Sequence, residues 1–147
     1  MGRPPTAELQ ARFDKEVARK LGDFIARDLS NTLWAMAKMD RPPTAELQAR
    51  LDNNVSRKLG DFNAQNLANT LWSYAKMKRA PAAELLMSID RELELKLGEL
   101  NAVEIQQVLS SYSAREHAPS ARVVALLRAR VRELNQVAHG NDKSRRR

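Results

Sequence analysis

The side chains in this 147-residue sequence that could do chemistry are cations and amides set out at regular intervals. Arg12, Lys15 and Arg19 fall in one stretch, and Arg50 and Arg57 stand thirty-eight residues after the first and third of them. Guanidinium and ammonium groups on one surface neutralise phosphates and release counterions; the other reading of such a stripe is an ordinary solvated helix face. A second set comprises Arg27, Asn63, Gln65, Asn66 and Asn101. These positions change from one interval to the next while their neighbours stay fixed, as a modular reader of base edges would require, or as drift on an exposed turn would leave them. A third set, Arg145, Arg146 and Arg147, closes the chain. It could touch RNA or an acidic protein surface, or be no more than a solvated end.

Chemistry of other kinds lacks material. There is no cysteine, which removes disulfides, thiolate nucleophiles and cysteine-ligated metals, and the two histidines, His117 and His139, leave little for an imidazole site. Asp90 with Glu94, Leu95 and Lys96 outlines a nuclease-like pattern, but on a helix, without the strand such sites need. The expectation is a non-enzyme with no cofactor, no metal and no small-molecule substrate. Hydrophobic residues at 43% and charged residues at 29% are ordinary for a soluble domain. No apolar run reaches the roughly 18 residues of a membrane span, so no membrane partner is expected. Met1-Gly2 with Thr6 fits the outline of an acylation signal, but the Arg after the glycine disfavours it.

What must position the cations is a repeat. Residues 3–40 and 41–78 are identical at 27 of 38 aligned positions, and the same step carries Gly22 to Gly60 to Gly98 and Pro5 to Pro43 to Pro81 to Pro119. Such a period signals stacked helical units. The units are 3–40, 41–78 and 79–116, followed by a half unit at 117–138 and a basic tail at 139–147. Within each, apolar residues recur every three or four positions: Leu9, Phe13, Val17, Leu21 and Phe24, then Leu47, Leu51, Val55, Leu59 and Phe62, then Leu85, Ile89, Leu93, Leu97 and Leu100. A second helix follows, with Leu29, Leu33, Trp34 and Ala37 matched by Leu67, Leu71, Trp72 and Ala75. Proline is expected to open the first helix and glycine to stop it in the left-handed conformation. Asn63 and the run Asn101-Ala102-Val103-Glu104 read as caps of the second helix. The fold expected is an all-α solenoid of about three and a half helix-turn-helix units, 3–138, with Val123, Val124, Leu127, Val131 and Leu134 covering its end.

The formal charge of +7 is uneven: +1, +3 and −3 over the three units, and +6 over residues 117–147. Trp34 and Trp72 follow core leucines, so packing within or between hairpins is favoured over stacking on bases. Asn31, Asn69 and Gln107 are read first as a structural amide ladder, with base recognition as the alternative.

The strings FIARDLSNTLWAMAKM at 24–39 and FNAQNLANTLWSYAKM at 62–77 resemble the octotricopeptide repeat, a family of degenerate 38-residue helical hairpins. The period, the proline opening and the Leu-Ala-Asn-Thr-Leu-Trp run at 67–72 carry the likeness; unit three keeps the apolar spacing and lacks the tryptophan. The resemblance implies binding of single-stranded or ribosomal RNA in a mitochondrion or chloroplast, for transcript stability, processing or ribosome structure. No transit peptide is visible in the chain. The alternative is a structural subunit that holds another protein on the solenoid face, which the −3 unit favours.

Overall fold

The computed structural model describes residues 6–115 and 119–145, with side chains described as far as Gly140. Among these there is no strand. Seven α-helices run α1 Ala7–Lys20, α2 Ala26–Lys38, α3 Ala45–Lys58, α4 Ala64–Met77, α5 Ala83–Leu95, α6 Ala102–Ser113 and α7 Ala121–Arg145. Short 3-10 turns, Leu21–Asp23, Leu59–Asp61 and Leu97–Glu99, join α1 to α2, α3 to α4 and α5 to α6. First helices meet first helices (α1 on α3, α3 on α5, α5 on α7), and second helices meet second helices, α2 on α4 and α4 on α6. Helix α7 also touches α6 and continues through 139–145, the stretch read from sequence as a tail.

The starts are local chemistry. Thr6 and Thr44 accept hydrogen bonds through Oγ1 from the amides of Leu9 and Leu47, at 3.1 and 3.2 Å. Such caps are worth about 1 kcal/mol each. The prolines do not open helices as expected: Pro43 and Pro81 precede the N-caps Thr44 and Ala82, one place outside the first helical residue's cap. Nor do the glycines stop them. Gly22, Gly60 and Gly98 sit inside the 3-10 turns without positive φ, and a Cβ there would meet nothing within 4 Å. The left-handed residues are instead Asp40 and Lys78, φ 55° and 56°, which end α2 and α4. There the amides of Arg41 and Arg79 reach back to the carbonyls of Met36 and Tyr74 at 3.1 Å, satisfying carbonyls the helix end would orphan.

The predicted stripes form the core. Leu47, Leu51, Val55, Leu59 and Phe62 are buried, as are Leu85, Ile89, Leu93, Leu100, Val123 and Leu127. Leu9 is 55% exposed although its counterpart Leu47 is buried: α3 packs between α1 and α5, whereas among the described residues α1 meets another first helix on one side. Second helices approach through small residues: Ala64, Ala68, Ser30, Ser73 and Ser111 are all buried. The hydroxyls of Ser73 and Ser111 donate to the carbonyls one turn back, at 2.7 and 2.8 Å, so burial leaves them satisfied.

Two further devices recur with the period. Tyr74 donates its hydroxyl to Asp52 at 2.6 Å, and Tyr112 donates to Asp90 at 2.9 Å, tying second helix to first within units two and three; unit one has Met36 at that place. Burial pushes both phenols well above their ordinary range, and burial also raises the Asp52 carboxyl. Between units, the Lys58 ammonium donates to the carbonyls of Gly22, at 3.2 Å, and Phe24. Lys96 repeats this on Gly60, at 3.1 Å, and Phe62; Arg130 reaches Gly98 at 3.2 Å. Lys58 and Lys96 are thus clips from one unit to the turn before. Lys58→Met is expected to lower unfolding free energy by about 1.5 kcal/mol in urea denaturation, since the bonds are charge-assisted. Lys20→Met, at the same place in unit one, where the exposed ammonium lies 3.9 Å from Glu16 on its own helix, is expected to change it by less than about 0.5 kcal/mol.

Candidate nucleic-acid interface

Residues spaced by four and then three on a helix share one face. On α2 that spacing links Arg27, Asn31, Trp34 and Lys38; on α4 it links Gln65, Asn69, Trp72 and Lys76. The first four are exposed, Trp34 by 42%, and on α4 Gln65 and Lys76 are exposed while Asn69 and Trp72 are half-buried. This face lies opposite the buried Leu29, Leu33, Leu67 and Leu71. Because α2 lies on α4, the two stripes adjoin.

The sequence favours the tryptophans as packing residues within or between hairpins. They do pack, but on one another at the surface: ring centroids lie 6.5 Å apart with planes tilted 35°. The Lys38 ammonium sits 5.2 Å from the Trp34 centroid and 5.5 Å from that of Trp72, inside the range of cation–π attraction. The amide ladder is present in part: Gln107 donates through Nε2 to Oδ1 of Asn69 at 3.3 Å, side chain to side chain between consecutive units. Along α6 and its C-cap the stripe becomes Val103, Gln107, Ser110 and Ala114, without aromatic or cation. The combination of planar rings, amides and cations therefore belongs to units one and two.

The sequence candidates divide between two rows of helices. Arg27 and Gln65 stand on the second-helix stripe. Asn63, Asn66 and Asn101 stand at helix starts, where their carbonyl oxygens are engaged. Asn63 accepts from the Asn66 amide at 2.7 Å and Asn66 from the Asn63 amide at 3.1 Å; Asn101 accepts from the Glu104 amide at 2.8 Å. The caps thus occupy helix-start amides that could otherwise meet a phosphate. Arg12, Lys15, Arg19, Arg50 and Arg57 are exposed on α1 and α3, in the other row. Arg19 bonds Glu16 at 2.8 Å, and that bond holds the Glu16 carboxyl below and the Arg19 guanidinium above their usual ranges. Arg146, Arg147 and the side chain of Arg145 lie outside the described residues.

Sequence reasoning treated Arg27 and Gln65 as turn residues and passed over Lys38 and Lys76. The signal was available: positions 27, 31, 34 and 38 and their counterparts at 65, 69, 72 and 76 are polar or aromatic on the side away from the leucine stripe. Among the described residues, no group of three or more His, Cys, Asp or Glu could hold a metal, and no helix is long and apolar enough to cross a membrane. In comparison with known proteins, a family model described as Tbc2 translation factor, N-terminal domain, matches residues 5–138. No curated protein matches the chain.

Proposed function

Since the chain belongs to the Tbc2 translation factor N-terminal domain family, we propose that it is a non-catalytic RNA-binding module acting in translation or in the handling of translated transcripts. In this reading the helical hairpins are octotricopeptide repeats stacked as a short solenoid, working on single-stranded or ribosomal RNA in a mitochondrion or chloroplast. The 38-residue period and the Leu-Ala-Asn-Thr-Leu-Trp run support the repeat assignment. The observation that carries the function is the doubled surface stripe, Arg27, Asn31, Trp34 and Lys38 beside Gln65, Asn69, Trp72 and Lys76. It offers base-stacking rings, edge-reading amides and phosphate-neutralising cations in one place, the combination that single-strand binders use. Carboxylates are absent from those eight positions.

Filter binding of a mixed single-stranded RNA across a salt series tests this. Three phosphate contacts would give a slope of log affinity against log salt near −2, at about −0.7 per contact on a single strand. RNA that is not retained even at low salt, with a protein co-purifying instead, overturns the proposal in favour of a scaffold subunit.

A further inference from the structure

We infer that Trp34 and Trp72 form a clamp that takes one unstacked nucleobase between their rings, with Lys38 meeting the phosphate beside it. The inference rests on the RNA-binding reading and specifies the ligand at its centre. A pair serving only to pack unit one on unit two would bury its larger surfaces, yet Trp34 remains 42% exposed at the rim. Trp72 is the fixed jaw: it packs against the apolar core, while Trp34 stands outside it. A flat base contacting both rings at van der Waals distance needs centroids about 7 Å apart. The rings stand at 6.5 Å and are tilted by 35°, so taking a base between them requires Trp34, the exposed ring, to swing outward and turn toward parallel.

Lys38 fits the same geometry. It follows Trp34 by one helical turn and lies within 5.5 Å of both centroids, held by their π-faces. A base entering the slot occupies those faces, and the ammonium is then placed for the strand's phosphate. Unit three has Ser110 and Ala114 at the places of the tryptophan and lysine, so no second slot follows. One chain therefore sandwiches one base. The slot recognises a planar π-surface, and purines, with the larger ring area, hold better than pyrimidines.

The chain has two tryptophans, both in the clamp, so intrinsic emission reports on it directly. The whole chain would be titrated with an end-labelled single-stranded oligoadenylate and with a strand of equal length made of abasic sugar-phosphate, following binding by the label's anisotropy and the clamp by tryptophan emission. Oligoadenylate is expected to quench emission in step with binding; the abasic strand is expected to bind more weakly without quenching. Trp34→Ala, at an exposed position, is expected to weaken oligoadenylate binding about tenfold and leave abasic binding unchanged, with Trp34→Phe recovering part of the loss. If oligoadenylate binds while emission stays constant and Trp34→Ala binds like the parent chain, the clamp is overturned and RNA binding stands. If neither strand binds at low salt, the RNA reading itself fails.

Discussion

A chain carrying Arg27→Gln, Lys38→Gln and Lys76→Gln together is expected to bind single-stranded RNA roughly a hundredfold more weakly at about 0.1 M salt, because each phosphate contact contributes about fivefold there. The salt slope is expected to fall by about 2 at the same time, at ~0.7 per lost contact. All three side chains are exposed on the second-helix row, and none is among the clips or caps that hold the fold. Stability should therefore be nearly unchanged, which separates lost binding from lost structure. The matched control is Arg12→Gln, Arg50→Gln and Arg57→Gln, which removes the same charge from the first-helix row. It is expected to change affinity by less than about threefold, through the general field alone. If the control loses the hundredfold and the second-helix triple does not, the RNA lies on the other row and the stripe is an ordinary wet surface. Filter binding at two or more salt concentrations checks both.

Asp90→Ala is expected to destabilise the chain by about 3–5 kcal/mol, the range for breaking a buried ion pair from one side. Arg115 holds the Asp90 carboxylate through two nitrogens, at 2.7 and 3.3 Å, and Tyr112 donates its hydroxyl at 2.9 Å. The paired side chains are only 9% and 8% exposed, and the guanidinium also lies 4.6 Å from the centre of the Tyr112 ring. Removing the carboxylate takes two hydrogen bonds from a largely dry guanidinium and an acceptor from the Tyr112 phenol. A loss of that size consumes much of the stability of a small domain, roughly 5–15 kcal/mol in total. Urea denaturation followed by circular dichroism measures it, and a loss below about 1 kcal/mol would show that the pair relaxes into solvent.

Unit two supplies the contrast. There Met77 stands where unit three has Arg115, and Asp52 has Tyr74 without that cation. Burial raises the Asp52 carboxyl above its ordinary value, so the folded chain holds that proton more tightly than the unfolded chain. Its contribution to stability is then most favourable at low pH and declines as pH rises through the window between the unfolded value and the raised folded one. Asp52→Asn keeps an acceptor for Tyr74 without the buried charge. Stability at neutral pH should hold or rise, and that part of the pH dependence should disappear.

Much of this architecture could be read from the residues. The helical pairs, the 38-residue step, the apolar stripes and the Asn63 and Asn101 caps are local patterns, and local patterns are legible. What stayed hidden depended on the neighbouring unit. Lys58 and Lys96 look like surface cations until the turn of the previous unit lies within reach of their ammonium groups. Trp34 and Trp72, one step after core leucines, look like core residues; a single helical position carries them about 100° round, and only the lateral packing of α2 on α4 decides which side that is. The glycines misled for a different reason. The chain turns from first to second helix through a right-handed 3-10 turn, and the left-handed conformation falls a helix later, on Asp40 and Lys78.

The lysine clip also bears on how such a chain can change over generations. What Lys58 and Lys96 grasp are main-chain oxygens, and every residue type carries one. The coupling is accordingly indifferent to the letters at the coupled places: Gly98-Glu99-Leu100 presents the same backbone as Gly60-Asp61-Phe62, and an arginine on α7 reaches it. A duplicated unit can be spliced in with its joint already compatible, leaving the letters on its outward stripe free to diverge. The near-copy at 3–40 and 41–78, and the altered stripe on α6, fit that history of duplication followed by divergence.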